Sequence, residues 1–231
     1  MDILNIVTQN WYWILISIVV AYLLGSINTA VIVTRIVTKG KGDIRQMGSG
    51  NAGFTNVLRS VGKVPAIFTI VCDLLKAIIA VWLGGYLFSL MVIGNQFEMA
   101  NIISVGKYLC GFACILGHSY PIYFHFKGGK GIVTAAGMML VIDWRVFLMI
   151  LGTFLIVFIF TKIISVASLT SAALYGFYSF ILTALIDKGS VMYITFCTVF
   201  AFGIGIFVII KHKDNIKRII RGEEKKITAK K

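Results

Sequence analysis

The sequence predicts an all-α, polytopic integral membrane protein with about seven transmembrane helices. Three properties of its 231 residues support that prediction: 58% of them are apolar, only 13% are charged, and the mean hydropathy is +0.92. Soluble domains average about 45–50% apolar and about 25% charged residues, which excludes that class. The aromatic content of 13% also excludes a disordered chain, because disordered chains are poor in aromatic and branched apolar residues.

Seven apolar segments are candidates for membrane-spanning helices, because a span needs about 20 mostly apolar residues. The fourth and fifth segments are short and are separated only by Asp143, Trp144 and Arg145, so they could instead form a single hairpin. The predicted segments are 11–34, 64–93, 104–124, 131–142, 146–160, 163–186 and 190–210.

The basic residues of the connections indicate how these helices are oriented. With seven spans, one side of the membrane collects eighteen Lys and Arg residues, whereas the other collects only Arg145 and Lys188. Since basic connections are retained in the cytoplasm, the sequence predicts an outside N-terminus and a cytoplasmic C-terminus. The segment 35–63 carries six of the eighteen, and the tail 211–231 carries nine.

The net charge of +13 is explained first by this orientation and by attraction to anionic lipid. Nucleic acid is not an expected partner, because basic and aromatic residues do not interleave in a soluble module. The sequence shows no repeat of roughly 20–50 residues and no linker rich in Pro or Ser. Residues 1–231 are therefore predicted to form one membrane-embedded domain, with 211–231 as a basic cytoplasmic tail.

The first loop, residues 35–63, is rich in small residues that form hydrogen bonds. Glycines allow backbone N–H groups to turn toward an anion, and an Arg side chain offers a planar fork to phosphate oxygens. The loop is therefore a candidate phosphate site, and the alternative is a flexible polar connector. Between Arg45 and Arg59 its sequence includes Gly48-Ser49-Gly50-Asn51-Ala52-Gly53-Phe54-Thr55-Asn56.

The second loop, residues 117–131, ends in a glycine run that leads directly into an apolar segment. Free N–H groups and the positive end of the helix dipole make such a helix start a candidate anion site. No Ser or Thr directly follows Lys130, so this is not a Walker A loop and a nucleotide is not implied. The alternative is a tight turn whose lysines extend to the membrane surface.

Two further polar pairs have helical spacing. His212 and Asn215 share a helix face, although alone this segment is better interpreted as a basic juxtamembrane helix. Asp73 and Lys76 share a face within an apolar segment, where an ion pair is costly. Packing between helices is the first interpretation of that pair, and catalysis is the second.

Together, the three cytoplasmic segments predict a site at the membrane surface for a phosphorylated, water-soluble substrate, with an apolar partner that arrives through the bilayer. No metal site is predicted, because His118, His125 and His212 lack ligand spacing. A transporter of a phosphorylated solute remains an alternative, although the inverted repeats typical of transporters are not visible. A membrane phosphatase or phosphotransferase is a further alternative, although the usual nucleophile or metal set is not apparent.

Three longer motifs follow one another along residues 21–224. The first comprises Leu24-Gly25-Ser26-Ile27, Asp43-Ile44-Arg45 and Gly48-Ser49-Gly50-Asn51-x-Gly53-x-Thr55-Asn56-x-x-Arg59. The second comprises Gly117-His118-x-x-Pro121 and Phe126-Lys127-Gly128-Gly129-Lys130-Gly131. The third comprises Val166-Ala167-Ser168, His212-x-x-Asn215-Ile216-x-Arg218 and Gly222-Glu223. In this order, the motifs resemble those of the bacterial acyl-phosphate:glycerol-3-phosphate acyltransferases.

The resemblance implies an enzyme that transfers a fatty acyl group from acyl phosphate to the 1-hydroxyl of sn-glycerol 3-phosphate. The products are lysophosphatidic acid and inorganic phosphate, in the first step of phospholipid synthesis. Neither a cofactor nor a metal is implied. We expect a multi-pass protein of the bacterial plasma membrane, with its active site at the cytoplasmic face. We also expect it to function as a monomer, alongside the enzyme that produces acyl phosphate.

The resemblance also assigns roles to individual residues. The catalytic residues are expected to be Ser49, Arg59, Lys130, His212 and Asn215. The expected substrate-binding residues are Arg45, Asn51, Thr55, Lys127, Gly128, Gly129, Gly131 and Ser168. The glutamate that the family uses structurally falls on Glu223. The chain departs from the family pattern at Asn28, Phe54, Ala77 and Val133, and its outer stretch 94–103 is longer than usual.

Overall fold

The computed structural model describes residues 3–91 and 96–227, and over these residues it contains helices and no strand. The helices are α1 (Ile3–Ser26), α2 (Thr29–Val37), α3 (Phe54–Ser60), α4 (Lys63–Ser89), α5 (Gln96–Ser119), α6 (Ile132–Ile142), α7 (Trp144–Thr161), α8 (Ile164–Phe180), α9 (Val191–Lys211) and α10 (Lys213–Ile220). Short 3₁₀ turns lie at Ile44–Gln46 and Ile122–Phe124, and a π-helical segment at Ile181–Ile186 extends α8.

The predicted first span, 11–34, is not one helix, because the chain breaks between α1 and α2. Asn28 has an extended backbone (φ −89°, ψ 97°), and its side-chain Oδ1 accepts a hydrogen bond from Val31 N at 3.2 Å. A residue of this kind caps a helix start by satisfying a backbone N–H that has no partner within the helix. Asn28 therefore begins a new helix, and the break leaves the Ile27 carbonyl available to another element.

The other predicted bounds need smaller corrections. The predicted second span, 64–93, corresponds to α4, which ends at Ser89, and residues 92–93 lie outside the described residues. The outer stretch 94–103 belongs largely to α5 from Gln96 onward, and residues 94–95 are not described. The fourth and fifth segments are separate helices, α6 and α7, because Asp143 adopts an extended backbone and caps α7 through Arg145 N.

The chain divides into two units, residues 1–142 and 143–231. In the first unit, α1, α4 and α5 pack on one another through small residues, because a close helix crossing leaves no room for larger side chains. A Cβ atom at Gly25 would collide with the Cys114 carbonyl, and one at Gly117 would collide with the Tyr22 carbonyl. The buried centre of this packing is formed by Ala21, Ala77, Ala80, Cys110, Ala113 and Cys114.

In the second unit, α8 packs on α7 and on α9. A Cβ atom at Gly205 of α9 would collide with the Ala172 carbonyl of α8, so these helices also approach closely. The connection before α7 and the connection after α8 are joined by Arg145, which donates to Asp143 Oδ2 at 2.8 Å and to Asp187 Oδ2 at 2.7 Å. The predicted spans 163–186 and 190–210 correspond closely to these elements.

Within residues 3–91 and 96–227, six apolar helical segments are long enough to cross a membrane: Val7–Val37, Lys63–Ser89, Asn101–Phe124, Trp144–Thr161, Ile164–Ile186 and Val191–Lys211. The apolar helix α6 is shorter, with 11 residues. At about 1.5 Å per residue it rises about 16 Å, roughly half of a ~30 Å hydrocarbon core. The prediction of an all-α chain with many apolar helices is confirmed, whereas the number of seven spans and the orientation stay predictions.

Candidate functional site

The first loop is joined to the second loop by Arg45. Its guanidinium donates to Asp43 through Nε and Nη2, at 3.0 and 2.6 Å, and Nη1 donates to the Phe124 carbonyl at 2.8 Å. Hydrogen bonds from Arg45 lower the pKa of Asp43 to about 2. All three guanidinium nitrogens of Arg45 thus contact protein groups, so the structure gives this residue a connecting role; its predicted contact with substrate stays a prediction.

The glycine-rich part of the first loop is organised around the buried side chain of Asn56. Its Oδ1 accepts from the backbone N–H of Ser49 at 3.0 Å. Its Nδ2 lies 3.1, 2.9 and 3.0 Å from the carbonyl oxygens of Ile44, Met47 and Asn51. A buried amide that bonds to four backbone groups determines the path of the loop. The sequence placed Asn56 in the first motif but gave it no role of its own.

The residues predicted to act from the first loop lie around this centre. Ser49 is exposed, and Gly48 before it has a φ of +56°, where a Cβ atom would collide with Asn56 Oδ1. Thr55 lies half-buried in the first turn of α3, and Arg59 lies exposed in its last turn. The short helix α3 therefore carries Thr55 and Arg59 on the same organised segment as Ser49.

The second loop places its glycines directly before α6. After the Ile122–Phe124 turn, His125 and Phe126 both adopt left-handed backbone conformations, and Gly131 has a φ of +84°. Lys127 is exposed and Lys130 is half-buried, whereas Gly129 and Gly131 are buried. The helix start and the lysines thus belong to one short segment, as the sequence predicted.

Gly129 marks the point where the two loops meet. Its N–H donates to the His118 carbonyl at 3.0 Å. A Cβ atom on Gly129 would collide with His118 Nε2 and would lie 2.7 Å from the Ala52 carbonyl oxygen of the first loop. A Cβ atom on the preceding Gly128 would collide with the His118 carbonyl. Glycine is required here because no side chain fits between α5 and the first loop.

A buried polar cluster lies directly beneath this meeting point. Lys76 Nζ is 2.8 Å from Asp73 Oδ1 and 3.0 Å from His118 Nδ1, and it donates to the Ile27 carbonyl at 2.9 Å. Thr29 Oγ1 lies 3.4 Å from Asp73 Oδ1. The sequence recognised the Asp73–Lys76 pair but placed His118 only in a motif, because nothing in the spacing of α4 and α5 shows that they meet here.

In the second unit, His212 is buried between α9 and α10. Its Nδ1 lies 2.7 Å from the Val208 carbonyl oxygen. Because a carbonyl only accepts, Nδ1 donates this hydrogen bond, and Nε2 is the acceptor atom of the neutral ring. The predicted sharing of a helix face with Asn215 fits α10, where Asn215 is also buried.

Asn215 is held by a carboxylate near the C-terminus. Glu224 Oε1 accepts from Asn215 Nδ2 and from Ser165 Oγ, both at 2.7 Å, and Oε2 accepts from Arg218 Nε at 2.6 Å. Burial acts to raise the pKa of Glu224, but these hydrogen bonds hold it below its ordinary value. The resemblance indicated Glu223 for such a role, and that residue is exposed; the structure gives the contacts to Glu224, one position later.

Ser168, predicted to bind substrate, is buried in α8 one turn after Ser165. Among the residues that the structure describes, no group of three His, Cys, Asp or Glu side chains is arranged to hold a metal ion. The sequence thus named the segments of the site, whereas Asn56, His118 and Glu224 were missed as organising residues. Asn56 and His118 could have been noticed as polar residues that stand in the motifs without an assigned role, whereas Glu224 follows the last motif residue and carries no such signal.

Comparison with known proteins connects this geometry to a family. The model of the glycerol-3-phosphate acyltransferase family matches residues 15–222. A glycerol-3-phosphate acyltransferase of Idiomarina loihiensis is 36% identical over 211 residues, which cover 91% of this chain and 94% of that protein. One from Photobacterium profundum is 36% identical over 217 residues, covering 94% of each chain.

Solved structures give the same result. The crystal structure of PlsY (YgiH), an integral membrane glycerol 3-phosphate acyltransferase, matches in its glycerol 3-phosphate form with a TM-score of 0.74 and 30% identity. That match covers 93% of this chain and 96% of PlsY. The lysophosphatidic acid form matches with a TM-score of 0.72. An integral membrane fold is thereby confirmed, and the chain belongs to the glycerol-3-phosphate acyltransferase family.

Proposed function

We propose that this chain transfers a fatty acyl group from acyl phosphate to the 1-hydroxyl of sn-glycerol 3-phosphate. The observation that carries the proposal is the junction of the two loops at Arg45 and Gly129, within a chain of this family. PlsY, with which the chain shares its fold, was crystallised in glycerol 3-phosphate and lysophosphatidic acid forms. These two molecules are the acceptor and the product of the proposed reaction.

The reaction brings two phosphate groups together, so the site must offset their charge. Arg59 and Lys130 supply cationic groups from the two joined loops, and Lys127 adds a third. The glycine run leads into the start of α6, where backbone N–H groups stabilise an anion, although the Gly129 N–H itself is bound to the His118 carbonyl. Ser49, Asn51 and Thr55 supply small polar groups from the same loop as Arg59. Positioned cations and N–H groups of this kind stabilise charge that develops in the transition state.

Acyl phosphate is a mixed anhydride with a good leaving group, so the reaction needs neither a metal nor an acyl-enzyme. The acceptor hydroxyl oxygen attacks the carbonyl carbon, the anhydride C–O bond breaks, and inorganic phosphate leaves with the proton that the hydroxyl loses. The site must hold the oxygen and the carbon about 3–3.5 Å apart. We propose direct transfer, and trapping of an acylated Ser49 would overturn it.

His212 and Asn215 are proposed as residues that the reaction also requires. The Val208 carbonyl holds the His212 ring through Nδ1, so Nε2 is the atom suited to accept a hydrogen bond. Asn215 uses its Nδ2 to bind Glu224, so its Oδ1 is the atom suited to orient a hydroxyl. Ser168, buried on α8, is retained as a substrate-binding residue.

The cellular setting is proposed from the sequence. The chain acts as one membrane domain in the bacterial plasma membrane, with its N-terminus outside and its active site at the cytoplasmic face. The acyl donor then reaches the site through the bilayer, and glycerol 3-phosphate reaches it from the cytosol. We propose that the protein works as a monomer and receives acyl phosphate from the enzyme that produces it.

An acyl-transfer assay tests the proposal. Purified protein in lipid is supplied with labelled glycerol 3-phosphate and with either acyl phosphate or acyl-CoA. Lysophosphatidic acid should form only with acyl phosphate, and the Ser49→Ala and Arg59→Ala variants should lose at least about 100-fold in rate. Product formed from acyl-CoA would overturn the donor assignment. Uptake of glycerol 3-phosphate into vesicles without acyl transfer would favour a transporter.

A further inference from the structure

In the buried cluster of Asp73, Lys76 and His118, each N–H donor of the Lys76 ammonium has an acceptor. An ammonium group has three N–H donors and no acceptor. Lys76 directs them to three different elements: Asp73 on its own helix at 2.8 Å, His118 on α5 at 3.0 Å, and the Ile27 carbonyl at 2.9 Å. The side chains of Asp73, Lys76 and His118 are 2%, 7% and 5% exposed, so water does not compete for these bonds.

This arrangement determines the protonation state of His118. Because an ammonium only donates, Nδ1 of His118 accepts the hydrogen bond from Lys76. The carboxylate of Asp73 is 3.6 Å from the same Nδ1, beyond hydrogen-bonding distance. A proton on Nδ1 would point at the Lys76 ammonium, so the ring is neutral and carries its proton on Nε2.

The Nε2 edge of His118 is directed at the second loop. A Cβ atom on Gly129 would collide with Nε2, which places this donor against the backbone of the glycine run. The His118 carbonyl binds the Gly129 N–H at 3.0 Å, so the same residue contacts the loop through both its ring and its main chain. Lys130, the cation proposed to bind phosphate, follows Gly129 directly.

A purely structural role explains this cluster poorly. Ionic groups among apolar helices are costly, and apolar residues of similar size often pack as well or better. Helix packing alone also does not require the Lys76 ammonium to bind a histidine whose other nitrogen faces a glycine loop.

We infer that Asp73 and Lys76 hold His118 as an Nε2–H donor, and that His118 positions the Gly128–Gly129–Lys130 backbone to receive the phosphate of glycerol 3-phosphate. The inference rests on the proposed function. His118, Lys76 and Asp73 are positioning residues, because they act through the loop that follows Gly128.

Two substitutions of His118 distinguish the roles of its two ring nitrogens. His118→Gln places an amide N–H near the position of Nε2, and His118→Asn places an amide oxygen near the position of Nδ1. The dissociation constant of glycerol 3-phosphate, measured by titration calorimetry in detergent, should rise about tenfold in His118→Asn and less than about threefold in His118→Gln. The KM for glycerol 3-phosphate should follow, while kcat and the KM for the acyl donor change little.

A matched control is available in the same loop. His125 is exposed with a φ of +55°, a conformation that Asn tolerates well, so His125→Asn should leave the dissociation constant unchanged. The double variant Asp73→Asn/Lys76→Met removes both charges together and leaves no unpaired buried ion. It should weaken glycerol 3-phosphate binding about as much as His118→Asn does, and adding His118→Asn to it should weaken binding no further.

The outcomes separate this inference from the proposed function. Equal dissociation constants for His118→Asn and His118→Gln, with acyl transfer intact in the unaltered protein, would overturn only the positioning role. If the unaltered protein binds glycerol 3-phosphate but transfers no acyl group from acyl phosphate, the proposed acyl donor is overturned. The dissociation constants of the His118 variants then still test the positioning role. Absence of glycerol 3-phosphate binding by the unaltered protein would overturn both.

Discussion

Arg45 Nη1 donates to the Phe124 carbonyl at 2.8 Å, which joins two loops that lie 79 residues apart along the chain. The same guanidinium forms a two-point ion pair with Asp43. The sequence alone presents Arg45 as one more cation for a phosphate. The structure places it where it holds together the two loops that carry Ser49 and Lys130.

The first prediction concerns the Asp43–Arg45 pair. Asp43→Asn should lower the thermal unfolding midpoint at neutral pH and reduce acyl transfer several-fold, because the carboxylate no longer holds the guanidinium. The pKa of Asp43 is about 2 in the folded protein, against an ordinary 3.8. The stability that this carboxylate contributes is therefore complete above pH 3.8 and is lost as the pH falls toward about 2.

Thermal unfolding in detergent at several pH values tests this pair. The difference in midpoint between the unaltered protein and Asp43→Asn should shrink steadily below pH 3.8. A difference that is the same at every pH would show that the charge of Asp43 contributes nothing.

The second prediction concerns Asn56. Asn56→Ala removes one acceptor and a donor group shared among three carbonyls, so the free energy of unfolding should fall by about 2–4 kcal/mol, with most of the activity lost. Ser60→Ala is the control, because its hydroxyl reaches Asn56 Oδ1 only at 3.4 Å. Denaturation and turnover are measured on both variants, and similar losses in the two would contradict the central role of Asn56.

The third prediction concerns the space around Gly129. Gly129→Ala places a methyl group against His118 and the Ala52 carbonyl, so the loops must separate. We expect the KM for glycerol 3-phosphate to rise at least about tenfold, since the anion-binding backbone moves. Gly152→Ala in α7 is the matched control, because no atom lies within 4 Å of its added Cβ. The free energy of unfolding of Gly152→Ala should be unchanged or higher by about 0.5–1 kcal/mol. An unchanged KM for Gly129→Ala would contradict the conclusion that no side chain fits between the two loops at this position.

The fourth prediction compares two neighbouring glutamates. Glu224→Gln removes the charge that holds Ser165, Asn215 and Arg218, whereas Glu223→Gln changes an exposed residue. We expect Glu224→Gln to lose about tenfold in kcat and to unfold at a lower temperature, and Glu223→Gln to resemble the unaltered protein. Steady-state kinetics and thermal unfolding of the two variants test this expectation. A larger loss of kcat or stability in Glu223→Gln would show that Glu223 is the structural glutamate, as the resemblance implied.

Much of the fold could be predicted because the membrane restricts the possibilities. Long apolar runs can satisfy their backbone groups in lipid only as helices, so the apolar runs of the sequence predicted seven segments, and six of them correspond to long apolar helical segments among the described residues. The break at Asn28 could not be predicted from apolarity, because the short polar stretch that contains Asn28 lies between two apolar runs, and the capping bond to Val31 is a property of the folded chain. The predicted organisation as one domain stays a prediction.

The sequence predicted which segments form the candidate site, but it did not predict which side chains in those segments contact one another. Glycine runs and cations at loop positions indicate anion binding because their chemistry is local, so Ser49, Arg59 and Lys130 could be named from sequence and resemblance. Contacts between distant elements carry no such local signal. His118 stands in the second motif without metal-ligand spacing, and its contact with Lys76 through Nδ1 exists only because α4 and α5 pack together.

The sequence by itself determined the apolar helices, the uneven distribution of basic residues and the family motifs, because each follows from residue type and short-range spacing. Only the tertiary structure decided which polar groups meet. It assigned Arg45 to the loop junction, Asn56 to the interior of the first loop and Glu224 in place of Glu223. The physical reason is that hydrogen bonds and ion pairs depend on distances of about 3 Å, and packing sets those distances between residues far apart in the chain.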